Sequence, residues 1–219
     1  MEEPAVQEPD IFEAMGTQRA MRRLKPDPVP DEYIKKMLWA ATRAPNGGNV
    51  QPWRFLVIQG AEKKRGLQRI YSEQWEKYLG NYDLDGPMTD EARASMRRSL
   101  KRGTYLSDHL HEVPAIIIPC GFLLAVNTGI ASGSSIYPAI QNLMLAARAL
   151  GLGTVLTTLH RHNEGAVREL LGIPENAHTA ALIPVGWPVG KFGPGPRKPI
   201  EEVTYWDHWG RSGVVSSEF

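Results

Sequence analysis

Three stretches of this chain combine residue types that can hold a ligand. The first is Arg19-Ala20-Met21-Arg22-Arg23-Leu24-Lys25, closed by Pro26-Asp27-Pro28-Val29-Pro30. Guanidiniums repel one another, so a folded chain keeps Arg19, Arg22 and Arg23 together either in full solvent or around an anion. The planar fork of arginine suits a phosphate, to which it donates two parallel hydrogen bonds. The second stretch is Ala44-Pro45-Asn46-Gly47-Gly48-Asn49-Val50-Gln51-Pro52-Trp53. Its glycines let backbone approach a flat ligand, and Asn46, Asn49 and Gln51 offer amide donors and acceptors to a planar heterocycle. The same composition also serves a helix-to-strand loop that satisfies its own backbone. The third is Gly151-Leu152-Gly153-Thr154 followed by Thr157-Thr158. Those glycines follow a helix pattern and open a strand, with no third glycine, which excludes a dinucleotide-binding fingerprint. Residues 190–198 fail as a phosphate loop because their prolines remove N–H donors.

Conventional hydrolytic chemistry has no support. No serine lies in a Gly-x-Ser-x-Gly elbow. His109 with His111, and His160 with His162, are spaced two apart and match no zinc-ligand pattern. They read as solvated or capping histidines, and no metal site is expected. Cys120 is the only cysteine, which excludes an intrachain disulfide. Within its apolar run it reads as a buried small hydrophobe.

The elements that must position these groups follow from periodicity. Helices are expected over residues 11–15, from an N-cap at Asp31, with Ile34, Met37, Leu38 and Ala41 at helical spacing, to a stop before Pro45, and over 61–78, 90–110, 134–150 and 164–171. Strands are expected over 55–58, 113–119, 154–159 and 180–185. The run 113–119 is continuously apolar, as in a strand buried on both faces. The helix over 90–110 is unusually basic, with Arg93, Arg97, Arg98, Lys101 and Arg102. Four strands interleaved with helices make an α/β or α+β sheet, not a sandwich or a bundle.

The chain of 219 residues is expected to form one domain over 11–219 behind a flexible acidic leader, residues 1–10. Its composition, 42% hydrophobic and 22% charged, is enough for a sizeable core. With 25 basic against 24 acidic residues, nothing points to nucleic acid or a membrane surface. The apolar run around 113–126 is too short to span a bilayer, and the leader is the opposite of a signal peptide. A cytoplasmic protein is expected. Tyr205, Trp206 and Trp209, crowded near the chain end, need cover from their own domain or from a partner subunit.

Taken in order, these motifs resemble those of the FMN-dependent nitroreductase family. The likeness covers about residues 11–205. It includes the basic turn before Pro28-Val29-Pro30, the 44–53 loop, and Ile140-Gln141-Asn142-Leu143 leading to Leu150-Gly151-Leu152-Gly153. Ile183-Pro184-Val185-Gly186-Trp187-Pro188 and Arg197-Lys198-Pro199 complete it. The resemblance implies an α+β (α/β three-layer) fold, a central mostly antiparallel sheet flanked by helices, in a homodimer with an exchanged C-terminal tail, residues 200–219.

It also implies roles. Arg19 and Arg22, with Arg23 in reserve and Arg197 from the other end, would hold the FMN phosphate. The family's first Arg and its Ser are here Gln18 and Ala20. Asn46, Gly47, Asn49 and Gln51 would contact the flavin ring and ribityl chain, some of them on the partner's cofactor. Thr157 and Thr158 would lie near flavin N5. The segment 71–105 would be a substrate lid, with Trp75, Tyr78 and Tyr82 stacking on an aromatic substrate and Arg93 or Arg97 attracting an anionic one. A solvated pair of amphipathic helices is the plain alternative for all five.

The implied activity is a ping-pong oxidoreductase in which NAD(P)H reduces bound FMN and a nitroaromatic, quinone or similar small acceptor then takes the electrons. One alternative is reductive dehalogenation of a halophenol, as in related deiodinases, where a lid clamps a zwitterion with a Glu, a Tyr and a Lys. Another is a non-catalytic flavin-binding or sequestering protein, suggested by the altered turn at Gln18–Ala20.

Overall fold

The apolar run at the middle of the chain becomes β2 (Ala115–Phe122), and among the described residues every other strand of the sheet but one pairs with it. Its residues 115–120 are all buried, as expected of a strand covered on both faces. The computed structural model describes residues 9–84, 86–122 and 133–211. Most of the acidic leader and residues 212–219 of the expected tail lie outside them.

β1 (Trp53–Ile58) runs antiparallel along one side of β2. Along the other side lie β4 (Ala177–Thr179) and β5 (Ile183–Gly186), both antiparallel, and the short β3 (Gly153–Thr154) pairs antiparallel with β5. Successive side chains of β2 alternate between two cores. Ala115 and Ile117 join Ile34, Met37 and Ala41 of α2 (Asp31–Ala41) and Ile140, Leu143 and Ala147 of α5 (Tyr137–Ala149). Ile116, Ile118 and Cys120 join Leu67, Tyr71 and Trp75 of α3 (Ala61–Leu79), Leu106 of α4 (Asp90–His109) and Val167 of α6 (Glu164–Leu171). The result is three layers, an antiparallel sheet between two sets of helices. Among the described residues no helix is long and apolar enough to cross a membrane.

Several expectations need correction. The strand expected over 180–185 is two strands, because β2 pairs Cys120 with Thr179 but Ile117 with Ile183. Three residues, 180–182, therefore face two, 118–119, which is a one-residue bulge. Pro119 sits at this point without an N–H to donate, and its carbonyl accepts from Ala180 N at 2.8 Å. The bulge frees Leu182 to exchange both backbone hydrogen bonds with Thr157, at 3.1 and 2.8 Å.

The strand expected over 154–159 accordingly shrinks to β3 and this single bridge, after which the chain turns into a 3-10 helix, Leu159–Asn163. Asp31 is the first residue of α2, not its cap; Pro30 precedes it, and the Asp31 carboxylate accepts from Gln59 Nε2 at 3.2 Å. α5 starts at Tyr137 rather than 134 because Pro138 is tolerated only in a first turn.

His160 is no solvated histidine. It is fully buried, and burial lowers its pKa to about 4. Beside it, burial alone would raise the pKa of Glu164, but hydrogen bonds from Thr179 N and Oγ1, at 2.6 and 2.7 Å, and the nearby Arg168 hold it below the usual value. Cys120 is buried, as expected, and burial pushes its thiol up to about 11.

The basic segment after α1 (Ile11–Thr17) is fixed by main-chain bonds. Met21 N donates to Thr154 O at 2.9 Å, Lys25 N to Trp187 O at 2.8 Å, and Val189 N to Arg23 O at 3.1 Å. Met21 and Leu24 are buried, so the arginines between and beside them remain on the open side. Gly153 makes the approach possible. A Cβ there would stand 2.9 Å from both Met21 Cβ and Leu24 Cδ2.

Replacing Gly153 by Ala is expected to destabilise the protein by about 1–3 kcal/mol through overpacking, read as a lower urea midpoint; an unchanged midpoint would mean that the turn yields without cost. A second expectation concerns acid. Between pH 6.5 and about 4 the unfolded chain holds a proton on His160 that the folded chain does not. Stability should therefore fall across that window as pH drops, by about 3 kcal/mol in all. Glu164, with its depressed pKa, adds a loss of the same sign below its unfolded value. In His160→Leu the urea-derived stability should decline less between pH 6.5 and 4; the same decline in both proteins would place the acid limit elsewhere.

Candidate active site

Two cavities adjoin on the α3–α4 side of the sheet, and Arg22 lines both. The first, about 740 Å³, lies between the arginine turn, α4 and the chain after β5. Among the described residues seven cations line it and no carboxylate does: Arg19, Arg22, Arg23 and Arg197, with Arg98, Lys101 and Arg102 of α4. Arg19 is oriented by donating to Lys191 O at 2.6 Å, and Arg197 to Pro196 O at 2.9 Å. The Arg23 guanidinium lies over the Tyr105 ring of α4, 4.5 Å from its centroid. Like charges at this density suit an anion of more than one negative charge.

The second cavity, about 670 Å³, is largely aromatic and apolar. Trp75, Tyr78 and Tyr82 form one wall in ring-to-ring contact, with centroids 5.3 Å and 4.9 Å apart, and the two tyrosine hydroxyls are hydrogen-bonded to each other. Trp75 keeps its place through two features of α4. Its indole N–H donates to Thr104 Oγ1 at 3.1 Å, and Gly103 leaves room for the ring, since a Cβ there would come within 2.2 Å of it.

The lining also includes Thr157 and Thr158, held by the bulged pairing of Thr157 to Leu182. The Thr157 hydroxyl is hydrogen-bonded to Tyr71 OH at 3.1 Å. Burial raises the Tyr71 pKa, only partly offset by that bond and by the Arg22 charge, so this phenol stays neutral at ordinary pH. Thr158 is exposed to the cavity. A narrow polar edge, a flat aromatic wall and a cationic end together accommodate a planar ring system carrying a phosphate.

The structure thus gathers Arg19, Arg22, Arg23 and Arg197 around one space, and Thr157, Thr158, Trp75, Tyr78 and Tyr82 around the next. It does not bring the 44–53 loop to either cavity of the same chain. In that loop Asn46 Oδ1 accepts from Gln51 N at 2.8 Å and Ser135 Oγ from Gly47 N at 3.2 Å. Asn49 and Gln51 hold φ values of +54° and +52°, left-handed backbone that is uncommon for residues other than glycine, with both side chains exposed.

Arg93 and Arg97 line neither cavity, and Arg93 donates to Gly86 O at 3.2 Å. Gln18, at the altered position of the turn, accepts from Gln141 Nε2 of α5 at 2.9 Å. Sequence reasoning passed over Tyr71 and the trio Arg98, Lys101 and Arg102. The trio's spacing of three and four, which puts all of them on one face of a helix, was the available signal.

The comparisons agree with this geometry. The model of the nitroreductase family matches residues 16–187. An NADH dehydrogenase of Thermus thermophilus is 31% identical over 206 residues, covering 90% of this chain and 96% of that protein. An iodotyrosine deiodinase of Thermotoga neapolitana is 29% identical over 195 residues, covering 88% and 95%. The crystal structure of oxidised iodotyrosine deiodinase bound to FMN and 3-iodo-L-tyrosine superimposes with a TM-score of 0.71 at 25% identity, covering 91% of this chain and 99% of that one. An antiparallel three-layer fold, a cationic turn clamped beside an aromatic cavity, and a family match over most of the chain lead to one conclusion: this protein belongs to the nitroreductase family.

Proposed function

We propose that this chain is an FMN-dependent oxidoreductase that takes hydride from NAD(P)H and reduces a small nitroaromatic, quinone or similar acceptor by a ping-pong route. The observation that carries this reading is the meeting of a cationic and an aromatic cavity at Arg22, beside Thr157 and Thr158. Bound FMN would supply hydride acceptance and onward electron transfer. Arg19, Arg22, Arg23 and Arg197 hold its phosphate. The exchange of Gln18 and Ala20 into the turn is offset by Arg23, which shares the same cavity. The Thr158 hydroxyl, with Thr157 pinned by Tyr71, would offer a hydrogen bond to the edge of that cofactor. Trp75, Tyr78 and Tyr82 exclude water and stack first on the nicotinamide and then on the acceptor, with residues 71–105 serving as the cover.

The loop bearing Asn46, Gly47, Asn49 and Gln51 serves the cofactor of a second subunit on this reading. Its absence from the lining of both cavities, and the exposed side chains of Asn49 and Gln51 on left-handed backbone, support that role. A homodimer also gives cover to the apolar groups that one chain leaves out: Ile11, Phe12 and Met15 of α1, Trp39, and Tyr205, Trp206 and Trp209 of the tail. Light scattering should give twice the chain mass; a monomer retaining full flavin would overturn the shared site.

Deiodinase relatives favour a second reading, reductive removal of halide from a halophenol. The aromatic cavity argues against it, because among the described residues its lining includes Arg22 and tyrosines but no carboxylate and no lysine to clamp a zwitterion. The decisive experiment is an anaerobic titration of the yellow, FMN-loaded protein with NADH and NADPH, followed by acceptor. Bleaching by a nicotinamide and reoxidation by a nitroaromatic or quinone are expected. Iodide release from 3-iodo-L-tyrosine would select the second reading, and tight flavin retention without reduction by either donor would point to a sequestering protein.

A further inference from the structure

The cationic cavity holds more charge than a flavin phosphate can use. A phosphomonoester carries roughly two negative charges, whereas seven cations line the cavity and, among the described residues, none of them forms an ion pair with a carboxylate. The seven come from separate elements. Four belong to the arginine turn and the chain after β5. The other three, Arg98, Lys101 and Arg102, occupy one exposed face of α4 at spacings of three and four, where like charges destabilise a helix. No i,i+4 carboxylate relieves them, since the residues four before and after this trio are Ala94, Arg97, Tyr105 and Leu106 for its outer and middle members, and Arg98 itself for Arg102. Instead of being splayed into solvent, this face is turned onto the arginine turn. The Arg23 guanidinium resting on Tyr105, one helical turn beyond Arg102, joins the two elements.

We infer that Arg98, Lys101 and Arg102 form a second anion subsite, next to that of the flavin phosphate, which takes the ribose 2′-phosphate of the hydride donor and so selects NADPH over NADH. This rests on the reading of a nicotinamide nucleotide as donor. The shared wall at Arg22 makes the assignment stereochemically economical, because a donor whose nicotinamide occupies the aromatic cavity has its phosphates directed to the cationic one. Arginine and lysine on an exposed helix face give a strong but salt-sensitive preference for the more highly charged ligand. The flavin is not held by this trio, so its retention is independent of them.

The experiment compares the FMN-loaded protein with its Arg98→Gln/Lys101→Gln/Arg102→Gln variant, whose three side chains are exposed and can be changed without disturbing the core. Calorimetry gives the affinities of 2′,5′-ADP and of 5′-AMP, which differ by the 2′-phosphate. Flavin fluorescence gives FMN retention, and anaerobic stopped-flow gives reduction by NADPH and NADH. The wild-type protein should prefer 2′,5′-ADP. In the variant that ligand should weaken roughly 30- to 100-fold, at about three- to fivefold for each of the three exposed cations lost, while 5′-AMP and FMN change no more than about threefold. The KM for NADPH should rise with the loss of 2′,5′-ADP affinity.

Equal weakening of both nucleotides, or release of FMN, would overturn the inference by showing that the trio serves general phosphate or flavin binding. Failure of the wild-type protein to bind 2′,5′-ADP, with flavin still reduced by NADPH and NADH alike, would overturn it while the proposed function stands. Selective 2′,5′-ADP binding lost in the variant, but no reduction by either donor, would overturn both the donor assignment and the redox reading, leaving a nucleotide-phosphate site alone.

Discussion

Backbone hydrogen bonds that lay residues 21–25 along β3 and the chain after β5 fix the positions of Arg22 and Arg23 in the turn. Three such bonds, to or from Thr154, Trp187 and Val189, convert a charge-rich segment that would favour solvent into a rigid ledge. The ledge can exist because Gly153 presents no side chain where Met21 and Leu24 must enter the core. Burial of those two apolar residues holds the segment down, and the guanidiniums between them are carried to the open side together. The electrostatic cost of gathering them is met by packing and main-chain bonding, which leaves the site charged and preorganised for an anion.

The polar edge of the site depends on an irregularity in the sheet. On the β4–β5 side of β2 the ladder is interrupted at Pro119, which has no N–H to donate, and the extra residue between β4 and β5 goes with the bridge from Leu182 to Thr157. That bridge places Thr157 and Thr158 at the mouth of the aromatic cavity, and Tyr71 then locks the first hydroxyl. Beneath them, fully buried His160 and the carboxylate of Glu164 give the 3-10 turn Leu159–Asn163 a tightly packed and acid-sensitive foundation. Bulges beside functional sites commonly re-aim side chains in this way.

On the reading proposed above, a second subunit fills the gap that a single chain leaves. One chain builds a phosphate end, a polar edge and an aromatic wall. Its most amide-rich loop, with two non-glycine residues in left-handed backbone, faces elsewhere. Exposed aromatics at both ends of the described chain lie ready for cover by another subunit on the reading proposed above. Chemistry that belongs to a flavin needs no acid–base pair from the protein, which is why neither the buried Cys120 nor any histidine takes part in the proposed steps.

Local rules carried much of this structure. Apolar periodicity marked α2, α3, α4 and α6 to within a few residues. The uninterrupted apolar run marked β2 as buried on both faces, and the order of short motifs identified the family and named four of the seven cations in one cavity. These are properties of neighbouring residues, and so they are legible in the sequence. Tertiary structure decided the rest because it depends on partners far apart in the chain. The split of β4 from β5 answers to Pro119 on another strand. Trp75 is buried because Gly103, on the next helix, leaves room for its ring. His160 is buried by what closes over its turn, not by its neighbours in sequence. Arg98, Lys101 and Arg102, in sequence only part of an unusually basic helix, meet Arg19, Arg22, Arg23 and Arg197 only when α4 folds back over the arginine turn, for charge repels at any sequence separation and packing alone brings it together.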